Sequence, residues 1–270
     1  ARARGDQYEK HPHSNCSIAR GDVVSLAMLI LVGTGWAAPE VLDLRPDLSD
    51  PKVRLETQLD VLEGLVDAGM HEQALSMIGE MHKQGAKDPR VDVIQGRAMH
   101  IAGMDAEAIV LLQRVTKRHP NDAEAWATLG LVYADGGQVA ESVASLKRAH
   151  RIEPEDADIL NNLGFALLAG GQAEQAVDYF RKALGVDPGS VATRNNLGFA
   201  LVRLDRYDEA LSAFRTASDE ADARYNLGVA CELHDDKAGA LTSYQAAISA
   251  RPGHSLAVLA LARLLKEGSP

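Results

Sequence analysis

The feature that most constrains this chain is a short pattern that returns at a fixed spacing along the sequence. The triplet Asn-Leu-Gly occurs at 162–164 and again 34 residues later at 196–198, and a third copy lies at 226–228. One period upstream of the first copy lies Thr-Leu-Gly at 128–130, and one period further Ile-Gln-Gly at 94–96. A period of this length is typical of a chain that folds as stacked copies of one small structural unit.

Two other residue types keep the same register. Small residues recur once in each period, at Ala74, Ala108, Ser142, Ala176, Ala210 and Ala240. Prolines close four of the periods, at Pro120, Pro154, Pro188 and Pro252. Apolar positions 4, 7, 8 and 11 of each unit share one face of a helix. Each unit is therefore predicted to form two helices, which approach closely at small residues and end at the proline.

The pattern resembles the tetratricopeptide repeat, which reads W-x2-L-G-x2-Y, then A-x3-F-x2-A, then P. One unit matches it at Trp126, Leu129, Gly130, Tyr133, Ser142, Leu146, Ala149 and Pro154, and the next at Leu160, Leu163, Gly164, Leu167, Ala176, Phe180, Ala183 and Pro188. The resemblance implies an all-α fold, a right-handed superhelical solenoid of stacked helix-turn-helix hairpins.

We divide the chain by this register. A linker at 38–54 is followed by six units at 55–88, 89–122, 123–156, 157–190, 191–220 and 221–254, and by a C-terminal capping helix at 255–270 that we expect to be polar and solvating. Leu62 replaces the usual glycine in the first unit. The fifth unit is four residues short, about one helical turn. Its second helix is therefore predicted to stop near Ala217, with Ser218 and Asp219 capping the next helix.

The first 37 residues carry a different signal. The apolar run at 23–38 follows Arg20 and ends in small residues, which predicts a signal peptide cleaved after Ala37. A retained membrane anchor and a buried helix are the alternatives. Export would place the protein in the periplasm or associated with the cell envelope, and a cytoplasmic location is the alternative.

The net charge, the cysteines and the absence of catalytic motifs limit the possible functions. The formal net charge is −10, which gives no electrostatic reason to bind nucleic acid, and membrane contact is expected only through the N-terminal segment if it is uncleaved. Two cysteines without a CxxC pattern predict neither a disulfide framework nor a zinc site. Nucleotide-binding, hydrolase and metalloprotease motifs are absent from the sequence. We therefore expect no enzyme, no cofactor and no metal.

The resemblance implies a binding groove on the first helix of each unit, at positions 2, 6, 9 and 13. The candidate peptide-binding residues are Asn162, Asn196, Asn226, Phe165, Phe199, Leu131, Val229 and Arg203. An asparagine amide both donates and accepts, so three of them in register could hold the backbone of an extended peptide. Two other interpretations stay open: the asparagines have no such role, and both phenylalanines pack as ordinary core.

These observations predict a non-enzymatic scaffold that binds a peptide segment or a subunit in its groove. In architecture the chain is similar to accessory proteins of bacterial pilus assembly, of the Tad/Flp or type IV kind, or of secretion. One alternative is the binding half of a glycosyltransferase with repeats of this type. Another is a structural assembly factor that functions through self-association.

Overall fold

The computed structural model describes residues 49–267 of the chain. Regular structure in this range is entirely helical, so the predicted all-α repeat fold is confirmed. The helices are α1 Pro51–Asp67, α2 His71–Lys83, α3 Pro89–Ile101, α4 Asp105–Arg118, α5 Ala123–Asp135, α6 Val139–Ile152, α7 Ala157–Ala169, α8 Ala173–Val186, α9 Val191–Val202, α10 Tyr207–Ala217, α11 Glu220–Leu233, α12 Lys237–Ala250 and α13 Ser255–Glu267.

The predicted signal peptide or anchor at 1–37 and most of the predicted linker lie outside the described residues. The chain divides into two units, residues 1–57 and residues 58–270. Of the first unit, only the start of α1 is described. Within 49–267, every helix is too short or too polar to cross a membrane.

The helices alternate between two roles, which we call A (odd numbers) and B (even numbers). From α3 to α12 each A helix packs against the B helix that follows it, and from α2 to α13 each B helix packs against the next A helix. Successive A helices from α3 to α11 also contact one another directly. The A helices therefore form a continuous layer with one shared face.

Side-chain caps set the start of the A helices. The residue just before each helix accepts a hydrogen bond from a backbone N–H of the first turn, which has no partner inside the helix. The capping residues are Asp88, Asp122, Asp156, Ser190, Asp219 and, through its ring Nδ1, His254.

The B helices end at the prolines, as the sequence predicted. The helices α4, α6, α8 and α12 each stop two residues before a proline. The shortened fifth unit has no such proline, and its B helix ends at Ala217, as predicted. Ser218 then turns the chain in an extended conformation, and Asp219 caps α11 at 2.9 and 3.0 Å from two backbone nitrogens.

In the five pairs from α3 to α12, the A helix lies directly against its B helix at the glycine in position 8. A Cβ added to Gly198 would lie 2.5 Å from the Phe214 ring, and one added to Gly228 would lie 2.5 Å from Tyr244. The same contact recurs between Gly96 and Leu112, Gly130 and Leu146, and Gly164 and Phe180. The side chain that covers the glycine is thus the one 16 residues later, at position 24. The alanine or serine at position 20 is also fully buried.

The last helix differs from the polar, solvating cap that the sequence led us to expect. Lys266 and Glu267 do end it in a polar way, but Leu256, Val258 and Leu259 are 55%, 44% and 67% exposed. The helix buries Ala257 and Leu264 and packs against α12. Its outward faces are therefore largely apolar.

The glycine contact predicts a sharp contrast between two substitutions of the same type. Replacing Gly198 by Ala forces a methyl group into the Phe214 ring and should lower the free energy of unfolding by roughly 1–3 kcal/mol. Replacing Gly185 by Ala, in α8, meets nothing within 4 Å and should be neutral or stabilising by up to about 1 kcal/mol. Urea denaturation measures both. Equal effects at the two positions would contradict the packing described here.

Candidate binding face of the A helices

The predicted binding residues lie on the A helices, except Arg203, which directly follows the last residue of α9. Several of them lie where one A helix meets the next. We call the surface formed by positions 2, 5, 6, 9 and 13 of successive A helices the A-helix face. Side chains at positions 5, 6, 9 and 13, and two at the adjoining position 12, bond between neighbouring A helices, so these positions meet where successive A helices adjoin. The residues of this face decide what kind of ligand it could hold.

The asparagine row pairs between repeats. The Asn196 Nδ2 group donates to Asn161 Oδ1 at 3.0 Å, and the Asn226 Nδ2 group donates to Asn195 Oδ1 at 3.5 Å. The partner is in each case the position 5 asparagine of the preceding unit, which the sequence did not single out. Asn162 accepts from Asn161 at 3.5 Å. The row therefore joins adjacent A helices.

Each asparagine amide keeps hydrogen-bonding groups that this pairing does not use. A side-chain amide offers two N–H donors and a carbonyl oxygen with two lone pairs. Asn162, Asn196 and Asn226 are all half-buried. An amide that is oriented by one bond to a neighbour can present its other groups to a peptide backbone in a defined direction.

The two candidate phenylalanines have different environments. The Phe165 side chain is 44% exposed on α7. The Phe199 ring is partly buried and meets Phe214 edge to face, with ring centroids 5.5 Å apart. Phe199 therefore packs as part of the core, whereas Phe165 presents its ring to solvent.

The remaining three candidates are half-buried or exposed. Leu131 and Val229 are half-buried. Arg203 is exposed, and its guanidinium donates to the backbone carbonyl of Leu233 at 3.3 Å, close to the end of α11. Leu233 itself is 66% exposed.

Two exposed leucines of α13 extend this face beyond the predicted units. Leu256 and Leu259 stand at positions 2 and 5 when the register is continued from Ser255. Extending the 34-residue register by one more helix would have identified them. Together with Leu233 and Phe165 they add exposed apolar side chains to the C-terminal half of the A-helix face, which also carries the Arg263–Glu232 ion pair at 2.7 Å.

The N-terminal half of the face is charged, and its charges are paired. The Arg97 guanidinium contacts the Asp67 carboxylate at 2.9 Å. His100 lies between two carboxylates, with Asp135 at 2.9 Å and Asp105 at 2.7 Å. The Asp135 hydrogen bond, opposed by burial and helped by Asp105, raises the pKa of His100 above its usual value. The Arg97–Asp67 and His100–Asp135 pairs connect successive A helices, whereas Asp105 belongs to the B helix α4.

The described residues hold little that resembles an active site. Within residues 49–267, no group of three or more His, Cys, Asp or Glu side chains could hold a metal ion. Cys231 lies in the core at 1% exposure, and burial raises the pKa of its thiol to about 11. The thiol is therefore protonated at neutral pH and is shielded from reagents.

The architecture thus defines a protein of tandem helix pairs joined through a common face. Tetratricopeptide repeat family models match residues 73–122, 130–170 and 167–230. The chain therefore carries tetratricopeptide repeats. No curated protein sequence matches it significantly.

Solved tetratricopeptide proteins are similar to it in fold. YrrB, described as a TPR protein with an unusual peptide-binding site, is 24% identical, with 68% of this chain and 96% of YrrB covered and a TM-score of 0.52. MamA of AMB-1 is 26% identical, with 59% and 95% covered and a TM-score of 0.50. A thermophilic TPR protein of Thermus thermophilus is 20% identical, with 66% and 98% covered and a TM-score of 0.57.

The inter-repeat asparagine bond can be measured as a coupling energy. Alanine substitutions at Asn161 and Asn196, singly and together, should reveal a coupling of about 0.5–1.5 kcal/mol in the free energy of unfolding. The longer contact between Asn195 and Asn226 should give a smaller value, because a 3.5 Å bond is at the limit of useful geometry. A coupling of zero for the first pair would contradict the bond.

Proposed function

We propose that this chain is a non-enzymatic scaffold that binds an extended segment of another protein. The segment would lie on the C-terminal half of the A-helix face, between α5 and α13. Tetratricopeptide repeats indicate a protein–protein interaction scaffold in general terms. The observation that carries the narrower proposal is the exposed Phe165 ring beside a row of oriented asparagine amides.

The chemistry of the face favours this half over the other. Arg97 and His100 in the N-terminal half are already bonded to carboxylates of neighbouring helices. A ligand would have to compete with these pairs. In the C-terminal half Phe165 and Leu233 are 44% and 66% exposed, and these two side chains take no part in a bond between charged groups, although the Arg263–Glu232 ion pair lies in the same half.

Magnitudes indicate what the ligand must contain. Three backbone hydrogen bonds to asparagine would contribute roughly 0.5–1.5 kcal/mol each, which alone gives no better than about millimolar binding. Each apolar side chain buried against the face adds about 1.5–3 kcal/mol. We therefore expect an extended segment that carries two or more large apolar side chains.

The cellular setting belongs to the same proposal. The apolar run at 23–38 supports export and a role as an accessory or assembly factor of a bacterial cell-envelope system, such as pilus biogenesis or secretion. The likeness to pilus-assembly proteins is one of architecture alone.

Selection of peptides on the purified chain tests the proposal. We would select a library of 12-residue peptides displayed on phage and measure the affinity of the recovered peptides by fluorescence anisotropy. The double substitution Phe165→Ala and Leu233→Ala should weaken binding by at least about tenfold, since each removes an exposed apolar contact worth more than about 1 kcal/mol.

The matched control is Val186→Ala, which removes an exposed apolar side chain from the B helix α8. It should leave the affinity unchanged. Recovered peptides that bind the double variant as tightly as the natural chain would contradict the proposal, and so would a selection that recovers no specific peptide.

A further inference from the structure

Helix α3 is bonded to the A helix on each side of it by a different kind of cation. Asp67 ends α1 and Asp135 ends α5, and both stand at position 13 of their units. The Arg97 guanidinium of α3 donates to the Asp67 carboxylate at 2.9 Å, and the His100 Nε2 atom lies 2.9 Å from a carboxylate oxygen of Asp135. An arginine stays charged in proteins, whereas a histidine is charged only when it is protonated. The two contacts therefore differ in their response to pH.

His100 has a carboxylate at each of its two ring nitrogens. Its Nδ1 atom is 2.7 Å from Asp105, the first residue of α4, and its Nε2 atom is 2.9 Å from Asp135. An ionised carboxylate has no proton to donate, so each contact is a hydrogen bond only if the ring nitrogen carries the proton. A neutral imidazole carries one such proton and an imidazolium carries two. The observed geometry is therefore that of the charged ring.

The helix ends around His100 favour its charged form. The histidine lies in the last turn of α3, where a positive charge interacts favourably with the helix dipole. Asp135 ends α5, whose last turn holds no basic residue, so a negative charge there is unfavourable unless a cation from another helix approaches it. Asp105 lies in the first turn of α4, where a negative charge is stabilised. Three helix ends thus favour one cation between two anions.

The other charged groups of the surrounding helices are bonded or placed elsewhere. His82 of α2 contacts Asp92 of α3 at 3.2 Å. These two side chains and Glu107 of α4 line a groove that does not include His100. The charges that act on the His100 ring are its two carboxylate partners. The hydrogen bond to Asp135 is the main cause of the raised pKa of the ring, and burial opposes it.

We propose that His100 is a pH-sensitive contact between the second and third units of the array. Its protonated ring binds Asp135 of α5 and Asp105 of α4 at the same time. Loss of one proton leaves a single N–H donor, so one carboxylate then faces a lone pair of the ring and its bond is lost. The Arg97 contact with α1 is unaffected by the same change. This regulation concerns the N-terminal half of the array and goes beyond peptide binding on the other half.

The direction of the pH dependence follows from the raised pKa of His100. A group whose pKa is higher in the folded chain than in the unfolded chain stabilises the fold fully below the unfolded value, which is about 6.5 for histidine. This contribution is lost as the pH rises through the higher pKa of the folded chain. The contact is therefore strongest in mildly acidic solution and weakens in mildly alkaline solution.

Nuclear magnetic resonance of the full chain with isotope-labelled histidine tests the protonation of the ring. His100→Gln identifies the His100 signals by their loss. Both ring nitrogens should be protonated in mildly acidic solution, and the midpoint of the titration should lie above about pH 6.5. Asp135→Asn keeps the size of the side chain, removes its charge and should move the midpoint downward. A midpoint at or below the ordinary value, or one that Asp135→Asn leaves unchanged, would overturn the proposal.

Hydrogen exchange tests whether the contact between the units responds. Protection of the α3 amides, corrected for the intrinsic effect of pH on exchange, should fall at least about threefold between about pH 6 and about pH 8.5, because a charge-assisted hydrogen bond is lost. His100→Gln should show no such fall. Arg97→Gln is the matched control, because it breaks the contact with α1 and should lower protection by a similar factor at both pH values.

Two results of the exchange measurement would overturn the proposal. One is protection of α3 in the natural chain that does not change with pH, and the other is an equal fall in the natural chain and in His100→Gln. Circular dichroism verifies that the variants remain folded, and the titration of the natural chain needs no variant. Because Phe165 and Leu233 lie in the other half of the face, failure here leaves the peptide selection described above unaffected.

Discussion

Everything else in the structure depends on the contact between the position 8 glycine of an A helix and the position 24 side chain of the B helix that follows. At Gly198 and Gly228 the added Cβ would lie 2.5 Å from an aromatic ring, so no larger residue can be accommodated without movement. The contact sets how closely the two helices approach. It recurs in five consecutive pairs, whose A helices contact one another in succession and share one face.

That stacking has a functional consequence, since it brings corresponding turns of successive A helices side by side. Asn161 and Asn196 are 35 residues apart in the chain and yet bond at 3.0 Å. The same geometry places ion pairs along the N-terminal half of the face, whereas the other half has exposed apolar side chains beside the single Arg263–Glu232 pair between its described A helices. The backbone is the same in both halves of the face, and only the side chains differ. The half with more ion pairs is bonded to itself, and the half with exposed apolar side chains is suited to binding.

Much of the fold could be predicted from the sequence, because local signals mark where the helices of each repeat unit end. The prolines mark helix ends because of their backbone sterics. The end of α10 at Ala217 followed from the shortened spacing before Ala221. The direction of the asparagine amides could not be read in this way, since the same amide can face a ligand or a neighbouring repeat. Phe165 and Phe199 have equivalent positions, and only the packing against Phe214 separates their roles.

The most direct test of the account is a crystal structure of the chain with a peptide recovered by selection. We predict an extended peptide along the C-terminal half of the A-helix face, with an apolar side chain against Phe165 and backbone hydrogen bonds to the asparagine row. A peptide bound along the B helices, or one that leaves Phe165 exposed to solvent, would contradict it.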